Sequence, residues 1–162
     1  MNKILLETIK IKKTHKHING NITLFENLNI KINHGDLIAL VGPSGSGKSS
    51  LLHLFALLDE PTKGKILINN KETNSLADNQ KDQLRRENIS IIFQENNLLS
   101  DFTALENVMM PLLIKGEKKK NILSKAKKIL KDVKILNRSD HFPSELSGGE
   151  QQRIAIARAL IA

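Results

Sequence analysis

A chain of 162 residues, 40% hydrophobic and with a formal net charge of +8, is long enough to bury one core and too short for two ordinary domains. No run approaches the roughly 18 uninterrupted apolar residues of a membrane helix, Glu7 and Lys10 interrupt the apolar start where a secretory signal would continue, and cysteine is absent. Neither a spanning helix, a leader, nor disulfide or thiolate-metal chemistry is expected, and a cytoplasmic protein is.

The elements follow in chain order. "GNITLFENLNIKI" alternates apolar Ile22, Leu24, Leu28, Ile30 and Ile32 and predicts a strand bounded by Gly20 and by His34-Gly35-Asp36. "LIALVG" (37–42) is a continuous apolar run ending in glycine, the pattern of a strand buried on both faces of a parallel sheet. Ser49 to Leu58 predicts a helix, stopped where Pro61 and Gly64 punctuate. "KILIN" and "ISIIF" predict short strands on either side of a polar helix near Gln80 to Arg86.

After Gln94 the chain turns helical. Thr103 and Glu106 form a capping box. Leu105, Val108, Met109, Leu112 and Leu113 then make one apolar stripe, a core face or a coupling surface, which Pro111 should kink or end for want of an amide proton. Asn121 to Ile135 and Glu150 to Ala162 predict two more helices, the last one buried apart from Arg153 and Arg158. The charge excess is local: from Lys115 to Lys134 nine lysines stand against Glu117 and Asp132. A solvated helix face accounts for that window ahead of attraction to anionic lipid head groups. With no Trp or Tyr and five Phe, the stacking platforms of single-strand binders are largely missing, so no nucleic-acid partner is expected.

Chemistry begins at "GPSGSGKSS": Gly42, Pro43, Ser44, Gly45, Ser46, Gly47, Lys48, Ser49 and Ser50 satisfy G-x-x-x-x-G-K-[ST]. Glycines let backbone amides curl around phosphate oxygens, and the helix that follows aims its positive end at the same point. Lys48 can reach the β and γ phosphates, and the Ser49 hydroxyl can ligate Mg²⁺. A flexible Gly/Ser loop would share the glycines without needing a strand before it and an apolar helix after it. The pattern points to a nucleoside triphosphate site.

The stretch "LSGGEQQR" repeats the logic. Ser147 and Glu150 form a second capping box, while Gly148 and Gly149 leave the first amides of the last helix uncovered, so the end is either an ordinary capped helix or an anion site. Since the loop at 42–50 already fills one site, a second anion site calls for a second nucleotide and hence a second copy of the chain.

"GPSGSGKSS", "IIFQENNLL" and "LSGGEQQR", in this order and spacing, resemble the nucleotide-binding subunits of ABC transporters, and "LLSDFTALENVMMPLLI" and "PSELSGGEQQRIAIARALIA" resemble most those of the lipoprotein-releasing type. The resemblance implies an α/β fold, a P-loop NTPase of ABC type with a RecA-like core, a small β subdomain and a helical subdomain, incomplete before the Walker B strand. It implies a core over 1–93 with the Walker A loop at Gly42 to Ser50, a Q-loop and helical subdomain over 94–146, and a signature helix over 147–162. Gln94 would touch Mg²⁺ and the attacking water, and Lys48 would hold the phosphates. Leu146, Ser147, Gly148, Gly149 and Glu150 would complete the partner copy's site in a head-to-tail dimer with two ATPs. His15, with His17 close by, falls where the family stacks an aromatic on adenine, though it also reads as a surface histidine. Ser50 replaces the commoner threonine.

The implied cofactors are ATP and Mg²⁺, and the implied partners a second copy and two transmembrane permease subunits at the cytoplasmic face of the inner membrane. The implied function is to couple ATP binding and hydrolysis to release of lipoproteins. A macrolide or peptide exporter, a cell-division complex, or a non-catalytic remnant that only binds nucleotide stand as alternatives. Without the Walker B carboxylates the stretch by itself is expected to bind ATP weakly and hydrolyse it negligibly, with a raw sheet edge beside "LIALVG".

Overall fold

Residues 4–17, to which the periodicity assigned no element, form the central strand of the only sheet among the described residues. The computed structural model describes residues 3–18 and 20–162. In it β1 (Ile4–His17) pairs antiparallel with β2 (Gly20–Asn33) on one side and β3 (Lys63–Ile68) on the other, and β3 carries the two-residue β4 (Lys71–Glu72), giving the order β2-β1-β3-β4. A bulge interrupts the alternation of β1. Its buried positions are Leu6 and Thr8, then Ile11 and Lys13, so the period of two breaks between them.

At that break Thr8 to Ile11 oppose Ile30 to Leu28, one residue too many, and Lys10 takes a left-handed φ of 47°. Side chains close the gap in the ladder. Thr8 Oγ1 accepts from Ile30 N (2.8 Å), and Asn29 Oδ1 accepts from Lys10 N (2.8 Å). On the β3 side Gly64, at φ +87°, lies so close that a Cβ there would sit 2.4 Å from the Lys10 carbonyl oxygen. Only glycine fits both that conformation and that approach.

Helix α1 (Lys48–Phe55) buries Leu51 and Leu54 with Ile11 and Ile66, and Phe25, Leu28, Ile30 and Phe55 pack around them. Each such side chain contributes about 1.5–3 kcal/mol on burial. Helix α2 (Asp78–Asn88) is polar and buries nothing, as its composition predicts. A cluster of ion pairs surrounds the 57–61 turn: Lys13 Nζ donates to Asp59 Oδ1 (2.7 Å) and to the Glu60 carbonyl (2.8 Å), and Lys81 pairs with Glu60.

Two strand expectations are corrected here. Neither 37–42 nor 89–93 is a strand, and Leu37, Ile38, Leu40, Val41 and Ile92 are exposed. A strand buried on both faces needs ladder partners to satisfy its backbone, and no described residue pairs with either run.

The chain divides into two compact units, one ending at Arg85 and one running from Arg86 to Ala162. The second is helical: α3 (Ala104–Ile114), α4 (Lys119–Asp132) and α5 (Gly148–Leu160), with short 3-10 turns at Leu136–Arg138 and Pro143–Glu145. Its core joins Ala104, Val108, Met109 and Leu112 of α3 to Ile122, Ala126 and Leu130 of α4 and Ile154 and Ala157 of α5. The apolar stripe of α3 is therefore mostly core, with Leu113 left exposed.

Pro111 neither ends α3 nor stops it short; the helix runs three residues further. Packing of Leu112 against the core outweighs the one lost amide bond. Helix α5 buries Ile154, Ala155 and Ala157 as expected, but Leu160 at its end is exposed. The lysines of α4 project from the side away from Ile122, Ala126 and Leu130, exposed, and only Lys125 among them forms an ion pair, with Glu117 (2.7 Å). No helix among the described residues is long and apolar enough to cross a membrane.

Candidate functional site

The loop from Gly42 to Gly47 has no regular structure and runs into the first turn of α1. Ser46 N donates to the Pro43 carbonyl (3.3 Å), which draws the loop into a tight curve. Gly47 is the N-cap, in the left-handed region at φ 87°, and a Cβ there would meet Leu24 Cβ at 3.1 Å and Phe25 Cδ1 at 3.3 Å. Glycine is thus required twice over, by the dihedral and by β2 behind it. It also leaves the helix start without any side-chain cap, and the first turn holds no acid. The free N–H groups and the positive end of the helix are left for an anion or water.

Lys48 folds back over this loop. Its ammonium donates to the carbonyls of Gly42 (2.8 Å) and Pro43 (2.6 Å), with Ser46 Oγ at 3.5 Å. An ammonium has three donors, so with two on the carbonyls the third, on the long contact to Ser46 Oγ, is the one an arriving phosphate can take. Ser44, Gly45, Ser46 and Ser49 are exposed, and the Ser49 hydroxyl makes no hydrogen bond among the described residues; Ser50 is half-buried. No cluster of three His, Cys, Asp or Glu suited to a metal occurs among the described residues.

His15 lies at the far end of β1, opposite Ile22, and both side chains are exposed. Its neighbour in charge is Asp59. Burial pushes that carboxyl up, but the Lys13 hydrogen bond, the Glu60 amide and the Lys13 and His15 charges together hold it below its ordinary value. Gln94 belongs to the second unit, on an irregular exposed stretch, and makes no hydrogen bond among the described residues.

At the start of α5 the capping box forms as the spacing predicts. Glu150 N donates to Ser147 Oγ (3.4 Å), while Ser147 N and Oγ both donate to Glu150 Oε2 (2.8 Å each). The Ser147 amide, then its hydroxyl, then Arg138 hold the Glu150 carboxyl below the usual range. Arg138 Nε reaches the other carboxylate oxygen at 3.0 Å. Leu146 is buried in the core of its unit and anchors the approach to the cap, and Gln151 Nε2 donates to the Pro143 and Leu146 carbonyls. Gly148 and Gly149 are exposed, and a Cβ on either would meet nothing within 4 Å. The fold of this unit has no steric need for glycine at those positions.

A glycine-capped phosphate loop and a serine-capped second helix start are the two anion-suited ends that the sequence singled out. The family profile described as ABC transporter matches residues 25–162. The chain belongs to the ABC transporter family. Among curated proteins it is 47% identical over 163 residues to the lipoprotein-releasing system ATP-binding protein LolD of Rickettsia bellii, covering 99% of this chain and 70% of that one. It is 45% identical to LolD of Colwellia psychrerythraea, covering 99% of this chain and 62% of that one. Against LolD 2 of Rhodopseudomonas palustris it is 44% identical over 150 residues, covering 93% and 65%.

The chain thus spans about two thirds of the length of these relatives, between 62% and 70%. Among solved structures, the dimer of MJ0796, a bacterial ABC transporter cassette, superposes with a TM-score of 0.92 at 38% identity, covering 97% of this chain and 69% of that one. A second MJ0796 dimer, a post-hydrolysis state bound to ADP and Pi, gives 0.91 at the same identity and coverage. The fold is that of ABC cassettes.

Two residues of this ABC chain that motif spacing passed over hold the segment after Gln94. Asn107 is fully buried in α3; its Oδ1 accepts from Leu99 N (2.8 Å), and its Nδ2 donates to the carbonyls of Leu99, Phe102 and Thr103. Arg158 of α5 donates to the carbonyls of Asn96 and Asn97. An asparagine amid the apolar stripe of a helix was the available signal for the first, since Asn there favours side-chain bonds to nearby backbone.

Proposed function

We propose that the chain is the ATP-binding subunit of an inner-membrane ABC transporter that couples ATP binding and hydrolysis to the release of lipoproteins. The observation that carries the reading is the glycine-capped, otherwise uncapped start of α1 with Lys48 folded across it, in a chain 44 to 47% identical to LolD proteins. Gly42 to Ser50 hold the triphosphate, with loop amides and Lys48 on its oxygens. Ser49 and Gln94 are the protein oxygens that would hold Mg²⁺, and the ion would offset the charge that builds up in phosphoryl transfer. His15 is the candidate to stack on adenine.

Leu146 to Glu150 serve a second copy in trans. Ser147 gives up its bond to Glu150 to reach the γ-phosphate of the opposing site, and the glycines at 148 and 149, which this chain's own packing does not need, leave room for that nucleotide. Such a pair is a head-to-tail dimer holding two ATPs. Its further partners are two permease subunits of the LolC and LolE type, and its place is the cytoplasmic face of the membrane. The division of labour is core to residue 93, Q-loop and helical subdomain over 94–146, and signature helix over 147–162.

Titration with Mg-ATP followed calorimetrically tests the site. Lys48→Ala is expected to weaken binding at least about tenfold, the loss of one charge-assisted bond, with the unfolding midpoint unchanged. Equal affinities in wild type and variant would sink the site assignment. The lipoprotein reading is tested separately, by ATP-dependent release of a lipoprotein from vesicles holding both permease subunits.

A further inference from the structure

The backbone of Asn96 and Asn97, just past Gln94, hangs on one side chain. Among the described residues the only hydrogen bonds to Asn96 and Asn97 come from Arg158, whose Nη2 donates to the Asn96 carbonyl and Nη1 to the Asn97 carbonyl, both at 2.7 Å. Asn96 does not hold itself in place: its Oδ1 is buried with no partner. Asn97 stands at a left-handed φ of 45°. An unmet buried acceptor and a left-handed backbone both cost free energy, so the segment keeps this course only because something outside it imposes it. Two residues on, Asn107 grips Leu99 by both its amide and its carbonyl. Gln94 and Glu95, exposed and without a hydrogen bond among the described residues, extend from the Arg158 end of that anchored run.

The guanidinium suits the task. Its planar fork presents donors of fixed geometry to two successive carbonyls, whereas a lysine ammonium on its flexible stem would hold them less rigidly. Arg158 is half-buried and pairs with no acid among the described residues, so its charge is met by those carbonyls. It also stands in the last turn of α5, ten residues or about 15 Å along the helix from Gly148.

We propose that Arg158 is a positioning residue that ties the Gln94-bearing segment to the helix beginning at Ser147, so that the two move as one body. Its functional consequence rests on the nucleotide reading above, because only there does Gln94 acquire a role.

Since the chain has no cysteine, Glu95→Cys supplies a single site for a nitroxide label, and Lys128→Cys on the exposed face of α4 supplies a control. Arg158→Ala is expected to raise label mobility at position 95 and leave position 128 unchanged, with Arg158→Lys in between. No change at 95, or equal loosening at both positions, overturns the proposal. A second arm measures Mg²⁺-dependent ATP binding in Gln94→Ala, Arg158→Ala and the double variant. Each single change should weaken it about threefold or more and the double no further than the weaker single; additive losses overturn the link to Gln94. Should Gln94→Ala bind Mg-ATP as wild type does, the nucleotide role of Gln94 fails on its own, and the label still decides whether Arg158 holds the segment.

Discussion

Asn107→Ala tests how the second unit holds its first irregular stretch. The side chain is wholly buried and makes four contacts with backbone groups: Leu99 N to Oδ1 at 2.8 Å, and Nδ2 to the carbonyls of Leu99 (3.0 Å), Phe102 (2.9 Å) and Thr103 (3.1 Å). An amide nitrogen has two protons, so three carbonyls share two donors and the side chain makes the equivalent of three bonds. At about 1 kcal/mol net for each bond, with some cost for groups left unmet in a partly buried place, truncation should destabilise by about 2–4 kcal/mol.

The assay is urea unfolding followed by far-UV circular dichroism, where the midpoint falls and the slope stays constant. Asn107→Asp, which sets an oxygen against three carbonyl oxygens, should be worse than alanine at neutral pH. A loss below about 0.5 kcal/mol for Asn107→Ala would refute the reasoning, because surface substitutions cost that little.

Other outcomes follow from the same geometry. Gly64→Ala should cost about 2–4 kcal/mol, since the new Cβ meets the Lys10 carbonyl at 2.4 Å in a left-handed conformation, whereas Gly116→Ala, at φ +79° with open space around it, should cost only about 1 kcal/mol; equal midpoints for the two would remove the role given to the β1 bulge. Glu150, whose pKa is depressed chiefly by the Ser147 amide, stabilises the fold above the ordinary carboxylate value of about 4.3 and loses that contribution as the pH falls further. Glu150→Gln keeps a capping side chain but cannot titrate, so its acid-unfolding curve followed by circular dichroism should be flatter below that pH; superposable curves would show that the box carries no linkage. Lys48→Ala should separate nucleotide affinity from stability, as described above.

Features that span a single turn were legible in advance. Both capping boxes, Thr103 with Glu106 and Ser147 with Glu150, formed where their spacing placed them, because a cap needs only a hydroxyl and a carboxylate three residues apart. The turn before α1 was legible in part for the same reason, since Lys48 reaches back no further than Gly42, although glycine at 47 is also required by Leu24 and Phe25 of β2. Longer apolar patterns misled. "LIALVG" and "ISIIF" had the composition of buried strands, yet composition supplies no ladder partner, and both runs lie outside the sheet. Residues 4–17 had a partner on each side but a broken period, because the bulge at Lys10 moves the buried set from Leu6 and Thr8 to Ile11 and Lys13.

By itself the sequence determined the helix starts, the phosphate-suited loop and the family. The helix caps and the loop depend on groups within a few residues of one another, whose geometry is set by covalent connection, and the family on three such local motifs in a fixed order along the chain. Tertiary structure alone decided that Pro111 stays inside α3, that Gly64 must be glycine, and that Asn107 and Arg158 hold the run from Asn96 to Leu99. For Gly64 and Arg158 the deciding contact comes from a segment distant in the chain, since 54 residues separate Gly64 from Lys10 and 62 separate Arg158 from Asn96, while Asn107 reaches back only eight residues to Leu99 but does so from within a packed helix. Such contacts depend on burial and approach, which no local pattern of hydrophobicity or charge encodes.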